Sequence, residues 1–250
     1  MQIFTRCFPA KISRGDKLVG STPTLKTGRA MINKSLFLRI GVTAVVALAF
    51  TGCASTYYGA MEKVGIHKRD ILVDRVQEAR EAQHEGKQEF KSALETFSEV
   101  LGFKGGALEE KYEILNDKYD NSKDSAEKIS KRIDSVESVA KALFEEWKAE
   151  IQQYSNDKMR RDSESKLKQT KSQYEKMIAA MRQAESKMQP VLTALNDQVL
   201  YLKHNLNAKA IASLQSEFTH IEGDIGKLIK EMEKSIAEAD RFIQSLGDAE

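Results

Sequence analysis

From residue 70 to the C-terminus, apolar side chains recur at alternating intervals of three and four residues. They do so in four segments parted by short polar or glycine-rich breaks. The first segment, from about Asp70 to Leu101, carries Leu72, Val76, Ala79, Phe90, Ala93, Phe97 and Val100, with Gln83 and Gly86 standing where apolar residues are due. The second runs from Ala107 to about Ser155, through Leu108, Tyr112, Leu115, Tyr119, Ser122, Ala126, Ile129, Ile133, Val136, Ala140, Leu143, Trp147, Ile151 and Tyr154. The third, from Lys158 to about Asn205, carries Leu167, Thr170, Tyr174, Met177, Met181, Ala184, Met188, Val191, Leu195 and Leu202. The fourth, from about Ala208 to Leu246, carries Ile211, Leu214, Phe218, Ile221, Ile225, Leu228, Met232, Ile236, Ala239, Ile243 and Leu246. Such a cadence draws one narrow stripe along each helix, and the stripe must be covered by other helices in a left-handed supercoil. No strand-like alternation interrupts it. The predicted fold is all-α: a long antiparallel coiled coil or elongated bundle of about four helices, spanning 70–250, after an N-terminal signal segment.

The breaks carry their own chemistry. Gly102-Phe-Lys-Gly-Gly106 is expected to end the first helix through the left-handed geometry that glycine permits. Ser155-Asn156-Asp157 reads as a tight turn with Asn156 or Asp157 capping the next helix, and Asn205-Leu206-Asn207 reads as a second. Segments two and three, each about 70 Å long at 1.5 Å per residue, should pair as a hairpin across so short a turn. Pro190 should kink the third by removing a backbone donor. Gln83 and Gly86 mark either a hinge or a place opposite a bulky partner. Gly223 and Gly226 could likewise admit a close helix.

Composition agrees with extended helix: 30% of residues are charged, 7% are aromatic, and there are three prolines. Net charge changes once the chain is divided. Residues 1–52 hold eight basic side chains and one acid, so of 39 basic and 37 acidic residues the remainder keeps 31 and 36, a net of −5. An acidic body has no electrostatic draw towards nucleic acid, and that partner class is excluded.

Upstream of the helices, Met31-Ile-Asn-Lys34-Ser-Leu-Phe-Leu-Arg39 forms a basic flank. An uncharged apolar run from Ile40 to Phe50 follows, then Thr51-Gly52-Cys53. This is the anatomy of a signal peptide over 31–52. Ala49-Phe50-Thr51-Gly52-Cys53 resembles the bacterial lipobox, in which the cysteine is acylated and becomes the first residue; the family pattern prefers leucine where Phe50 stands. The resemblance implies lipidation of Cys53, with Phe50, Thr51 and Gly52 as the lipobox. Several acyl chains anchor a protein stably where one is marginal. Acylation would also account for a lone cysteine in an oxidising compartment. Ala54 follows where an aspartate would imply inner-membrane retention, so the outer membrane is the expected site, with the body facing the periplasm. Residues 53–69 form the lipidated N-terminus and tether, with Tyr57 and Tyr58 suited either to a lipid surface or to the start of the first helix. Residues 1–30 fit none of this and read as an over-long extension ahead of Met31.

Candidate catalytic chemistry is sparse. The Gly102–Gly106 turn lacks the Gly-Lys-Ser/Thr of a phosphate-binding loop, and no strand precedes it. His67, His84, His204 and His220 have no partner at metal-ligand spacing. Glu109-Glu110 and Glu145-Glu146 lie among lysines on helix surfaces. Met177, Met181 and Met188 read as core, as does Trp147. No catalytic, cofactor or metal site is expected, and the chain is read as a non-enzyme.

Tyr57-Tyr58, the run Met61 to Asp70, Gly105-Gly-x-Leu-Glu-x-Lys-Tyr112 and Phe144-x-x-Trp147 resemble a family of bacterial lipoproteins known only as a domain of unknown function. The resemblance covers nearly all of 53–250 and implies an envelope location and a helical body, with no activity attached. The expected role is a lipid-anchored periplasmic scaffold that docks an envelope protein. Two alternatives are a self-assembling structural lipoprotein, that is a homo-oligomer, and a carrier of a lipid or cell-wall ligand.

Overall fold

The computed structural model describes residues 67–102, 105 and 107–247, and four helices account for nearly all of them. They are α1 (Lys68–Leu101), α2 (Leu108–Ile151), α3 (Asp157–His204) and α4 (Ala208–Gly247). The all-α fold read from the sequence holds, and so do most boundaries. The exception is the end of α2, which stops at Ile151, so Tyr154 lies in the turn. Asn156 is the N-cap of α3: its side-chain oxygen accepts from the backbone N–H of Lys158 at 2.9 Å and of Met159 at 3.3 Å. α1 ends at the Gly102–Gly106 run, as expected. Gly102 itself keeps φ −77°, and its N–H donates to the Ser98 carbonyl at 3.1 Å. The positive φ falls on Gly105, at 143°. α3 runs through Pro190 without a break in its helical assignment.

Each helix has two neighbours: α1 packs on α2 and α4, and α3 packs on α2 and α4. Cross-helix pairs show every neighbour running antiparallel. Lys68, at the start of α1, meets Glu146 near the end of α2 at 2.9 Å, while Lys111 near the start of α2 meets Glu99 near the end of α1 at 3.4 Å. Along α1 and α4, Arg80 pairs with Asp240 at 2.8 Å and Lys87 with Glu233 at 3.3 Å, and the rings of Phe97 and Phe218 lie 5.5 Å apart, edge to face. The result is an up-down-up-down bundle closed by one chain. No helix of the described residues is long and apolar enough to cross a membrane.

The predicted stripe of α1 is buried at every position, Gln83 and Gly86 included. Gly86 settles its own ambiguity: a Cβ there would come within 2.7 Å of Ile129 Cδ1, so the glycine stands opposite a bulky neighbour. Gly223 and Gly226 do the opposite of what the sequence suggested, since nothing lies within 4 Å of a Cβ at either. The methionine stripe of α3 is core. In α4 the stripe turns by one residue after Met232. Ser235 and Phe242 are buried, at 0% and 1% exposure, while Ile236 and Ile243 lie only half-buried.

Candidate functional site

The helices are unequal, at 34, 44, 48 and 40 residues for α1 to α4. Because α1 begins level with Glu146, and α4 ends beside it, the α2–α3 hairpin runs on past both. In this stretch Ile151 in the last turn of α2 stays buried, while the stripe residues Leu143, Trp147, Leu167 and Thr170 are only half-buried. They leave a cleft of about 880 Å³ where all four helices meet. One wall is Leu143, Glu146, Trp147 and Glu150 of α2. The other is Lys166, Gln169, Thr170 and Gln173 of α3, with Arg69, Ser245 and Leu246 at the base.

Internal bonds fix this geometry. The Arg69 guanidinium donates to the carbonyl of Leu246, tying the start of α1 to the end of α4. Lys68 is paired with Glu146. Trp147 Nε1 donates to Ser163 Oγ at 2.9 Å, and Ser245 Oγ donates to the Phe242 carbonyl at 2.8 Å. The cleft offers an indole face, two leucines, side-chain amides and charges of both signs. That set suits an amphipathic occupant held by contact and hydrogen bonds. The sequence placed Trp147 in the core; the structure sets it on this wall.

Just below the cleft a second constellation locks α2 to α3. Arg182 donates to Asp134 and Glu137 of α2, each at 2.6 Å, and to Glu185 of its own helix at 2.7 Å. The bond to Glu137 is the largest cause of a raised guanidinium pKa, working against desolvation. Tyr174 packs edge-on to Phe144 and Phe242, with centroids 5.3 and 6.2 Å away. Burial, reinforced by the charge of Glu137, pushes its phenol up to about 12. This is structural chemistry: a charged clamp beside a neutral aromatic seam.

The two ends of the bundle carry the remaining unusual surface. Among the described residues the large apolar side chains that stay exposed are Tyr154 and Met159 at the α2–α3 turn, and Ile114, Leu200, Tyr201 and Leu206 at the opposite end. Turn chemistry presents them. Asn156 caps α3 beneath Met159, while Asn205 donates to the Tyr201 carbonyl at 2.9 Å and Asn207 accepts from Ala210 N–H at 3.1 Å, leaving Leu206 between them.

Of the residues singled out in the sequence, Phe50, Thr51, Gly52 and Cys53 lie outside the described residues, as do Tyr57 and Tyr58. His67, His84, His204 and His220 are all exposed and far apart along the helices. No group of three or more His, Cys, Asp or Glu among the described residues could hold a metal ion. No residue pattern in the sequence marks the cleft. The unequal segment lengths were the signal for it, because a hairpin longer than its neighbours must outrun them.

No curated protein and no solved structure matches the chain. Residues 57–246 match the model of a family described as protein of unknown function (DUF2959), from ahead of α1 to the last turn of α4, and the chain belongs to that family.

Proposed function

We propose that this chain is a non-enzymatic, lipid-anchored scaffold of the bacterial envelope, held to a membrane through acylated Cys53 and docking a partner protein at the far end of its bundle. The observation that carries the reading is the distribution of exposed apolar side chains. The flanks of the bundle are charged and its core is closed, yet Ile114, Leu200, Tyr201 and Leu206 remain exposed at the end away from the start of α1. Exposed apolar side chains that recur at one end of a protein otherwise charged on its flanks favour an interaction site there. α3, at 48 residues, is about 72 Å long, so that end would stand well clear of the anchor. The apolar run before Cys53 and the absence of Asp after it support the periplasmic face of the outer membrane as the location.

Photo-crosslinking in cells tests the docking role. A photoreactive residue at Leu206 or Tyr201 should capture one recurrent foreign envelope protein, and the same residue at Lys131 on the flank should not. Crosslinks from Leu206 to copies of the chain alone would move the reading to a structural homo-oligomer. Such an assembly would have to use the ends, because the stripe is already covered within one chain.

A second reading has one observation in its favour. The 880 Å³ cleft beside Trp147 is large enough for a lipid or cell-wall fragment. A carrier would co-purify with such a molecule, visible by native mass spectrometry and lost on replacing Trp147 with alanine. A ligand-free spectrum from gently extracted protein would end that reading.

A further inference from the structure

The cleft beside Trp147 opens at the point where the chain enters the bundle. Arg69 forms part of its base, and the bond from Arg69 to the Leu246 carbonyl holds the start of α1 there. Ile66 joins α1 at His67, so residues 57–66 arrive beside the cleft. These ten residues reach about 33 Å when extended, further than the ~20 Å that α3 rises between Thr170 and Asp157. The family model begins at residue 57, so the segment is part of the family's domain. Its composition is also unlike that of a spacer. Half of it is apolar or aromatic, namely Tyr57, Tyr58, Met61, Val64 and Ile66, and Glu62 and Lys63 are its only charges and cancel. Chain that only spans distance is built from Gly and Ser, from Pro, or from like charges.

We propose that residues 57–66 of this chain fill the cleft, with Tyr57, Tyr58 and Met61 packed against Leu143, Trp147 and Thr170. α1 and α4 stop short of the hairpin and leave those stripe residues half-buried, so burial of apolar surface drives the contact. An apolar segment joined to the mouth of the cleft is present there at an effective concentration that a free ligand seldom matches. Glu62 and Lys63 complement Lys166 and Glu150 on the two walls, which no ion pair among the described residues engages. At so exposed a rim such pairs add little, and the aromatic and thioether side chains carry the binding. The cleft is then a part of the core completed from ahead of α1. On the anchored reading above, only Ala54-Ser-Thr56 would part Cys53 from the bundle and hold that end close to the membrane. Filling of the cleft does not itself depend on the anchor.

The test places a photoreactive residue at Met61, or at Tyr58, of the full chain in cells. After irradiation a band of monomer size should yield crosslinks from that residue to peptides carrying Leu143–Glu150 or Lys166–Gln173. The same residue at Leu206 should give none to those peptides. Capture of lipid in their place would overturn the proposal and hand the cleft to the carrier reading. Crosslinks to the same peptides only in a dimer-sized band would overturn it in favour of a second copy. No crosslink to them from either position would end it. Trp147 is the one tryptophan of the chain, so its fluorescence in the purified full chain reads the same cleft. Changing Tyr57, Tyr58 and Met61 together to Ser should shift its emission to the red and raise its quenching by acrylamide. Unchanged emission and quenching in a variant of wild-type helicity would also overturn the proposal.

Discussion

Gln83 occupies a position where the cadence of α1 calls for an apolar side chain, and the fold buries it completely all the same. Neither its amide nitrogen nor its oxygen has a hydrogen-bond partner among the described residues, and the buried Ser235 hydroxyl on the neighbouring α4 is in the same condition. A buried unsatisfied amide costs about 1–3 kcal/mol. Replacing Gln83 with Met keeps the volume and removes the cost, so the variant should be more stable by ~1–2 kcal/mol in thermal melts followed by circular dichroism. A lower melting temperature would mean the amide has a partner that outweighs its burial. Tyr174 gives the pH counterpart. An acid whose folded pKa lies above its unfolded value near 10.0 stabilises the fold below that value, and the contribution disappears as pH climbs towards about 12. Melting temperatures of the wild type should therefore fall more steeply between pH 10 and 12 than those of Tyr174→Phe. Parallel curves would show that the phenol titrates alike in both states. At this scale the sequence was partly legible. It flagged Gln83 and Gly86 as anomalies, but only the neighbours, Ile129 foremost, show what the glycine stands against.

At the scale of the helix, the 3-4 cadence located four helices and nearly all their ends, because a stripe interrupted by Asn, Gly or Ser clusters leaves few other ways to fold. What it could not fix was phase. After Met232 a step of three leads to Ser235 and Phe242, whereas a step of four leads to Ile236 and Ile243. Hydrophobicity alone favours the isoleucines. The bundle takes the first route, since it brings Phe242 against Tyr174 and keeps the seam in line, at the cost of a buried serine. Alanine at Phe242 should thus cost about 3–5 kcal/mol, and alanine at Ile243 clearly less, because only the first leaves a closed cavity. Chemical denaturation of the two variants side by side checks this, and equal losses would put the stripe where the sequence first suggested. The cleft escaped for a related reason. Trp147 and Thr170 keep the cadence, so nothing local distinguishes them. Only the shortness of α1 and α4 at this end leaves them uncovered.

For the whole molecule, one chain supplies every helix the core needs. The melting temperature of the bundle should accordingly not change with protein concentration across a hundredfold range, which differential scanning calorimetry can read directly. A rise with concentration would show that copies associate. Function at this scale follows from where the unspent surface lies. A charged flank asks for water, and on the proposed reading the exposed apolar side chains at the end away from the start of α1 meet a partner protein. That reading has meaning only if the chain is anchored, and Cys53 lies among residues that the cadence of the helices says nothing about. The most direct test is the mass of the N-terminal peptide of the mature protein isolated from membranes. A chain that begins at Cys53 and carries acyl groups on it is expected. An N-terminus upstream of Cys53, or an unmodified thiol there, would contradict it.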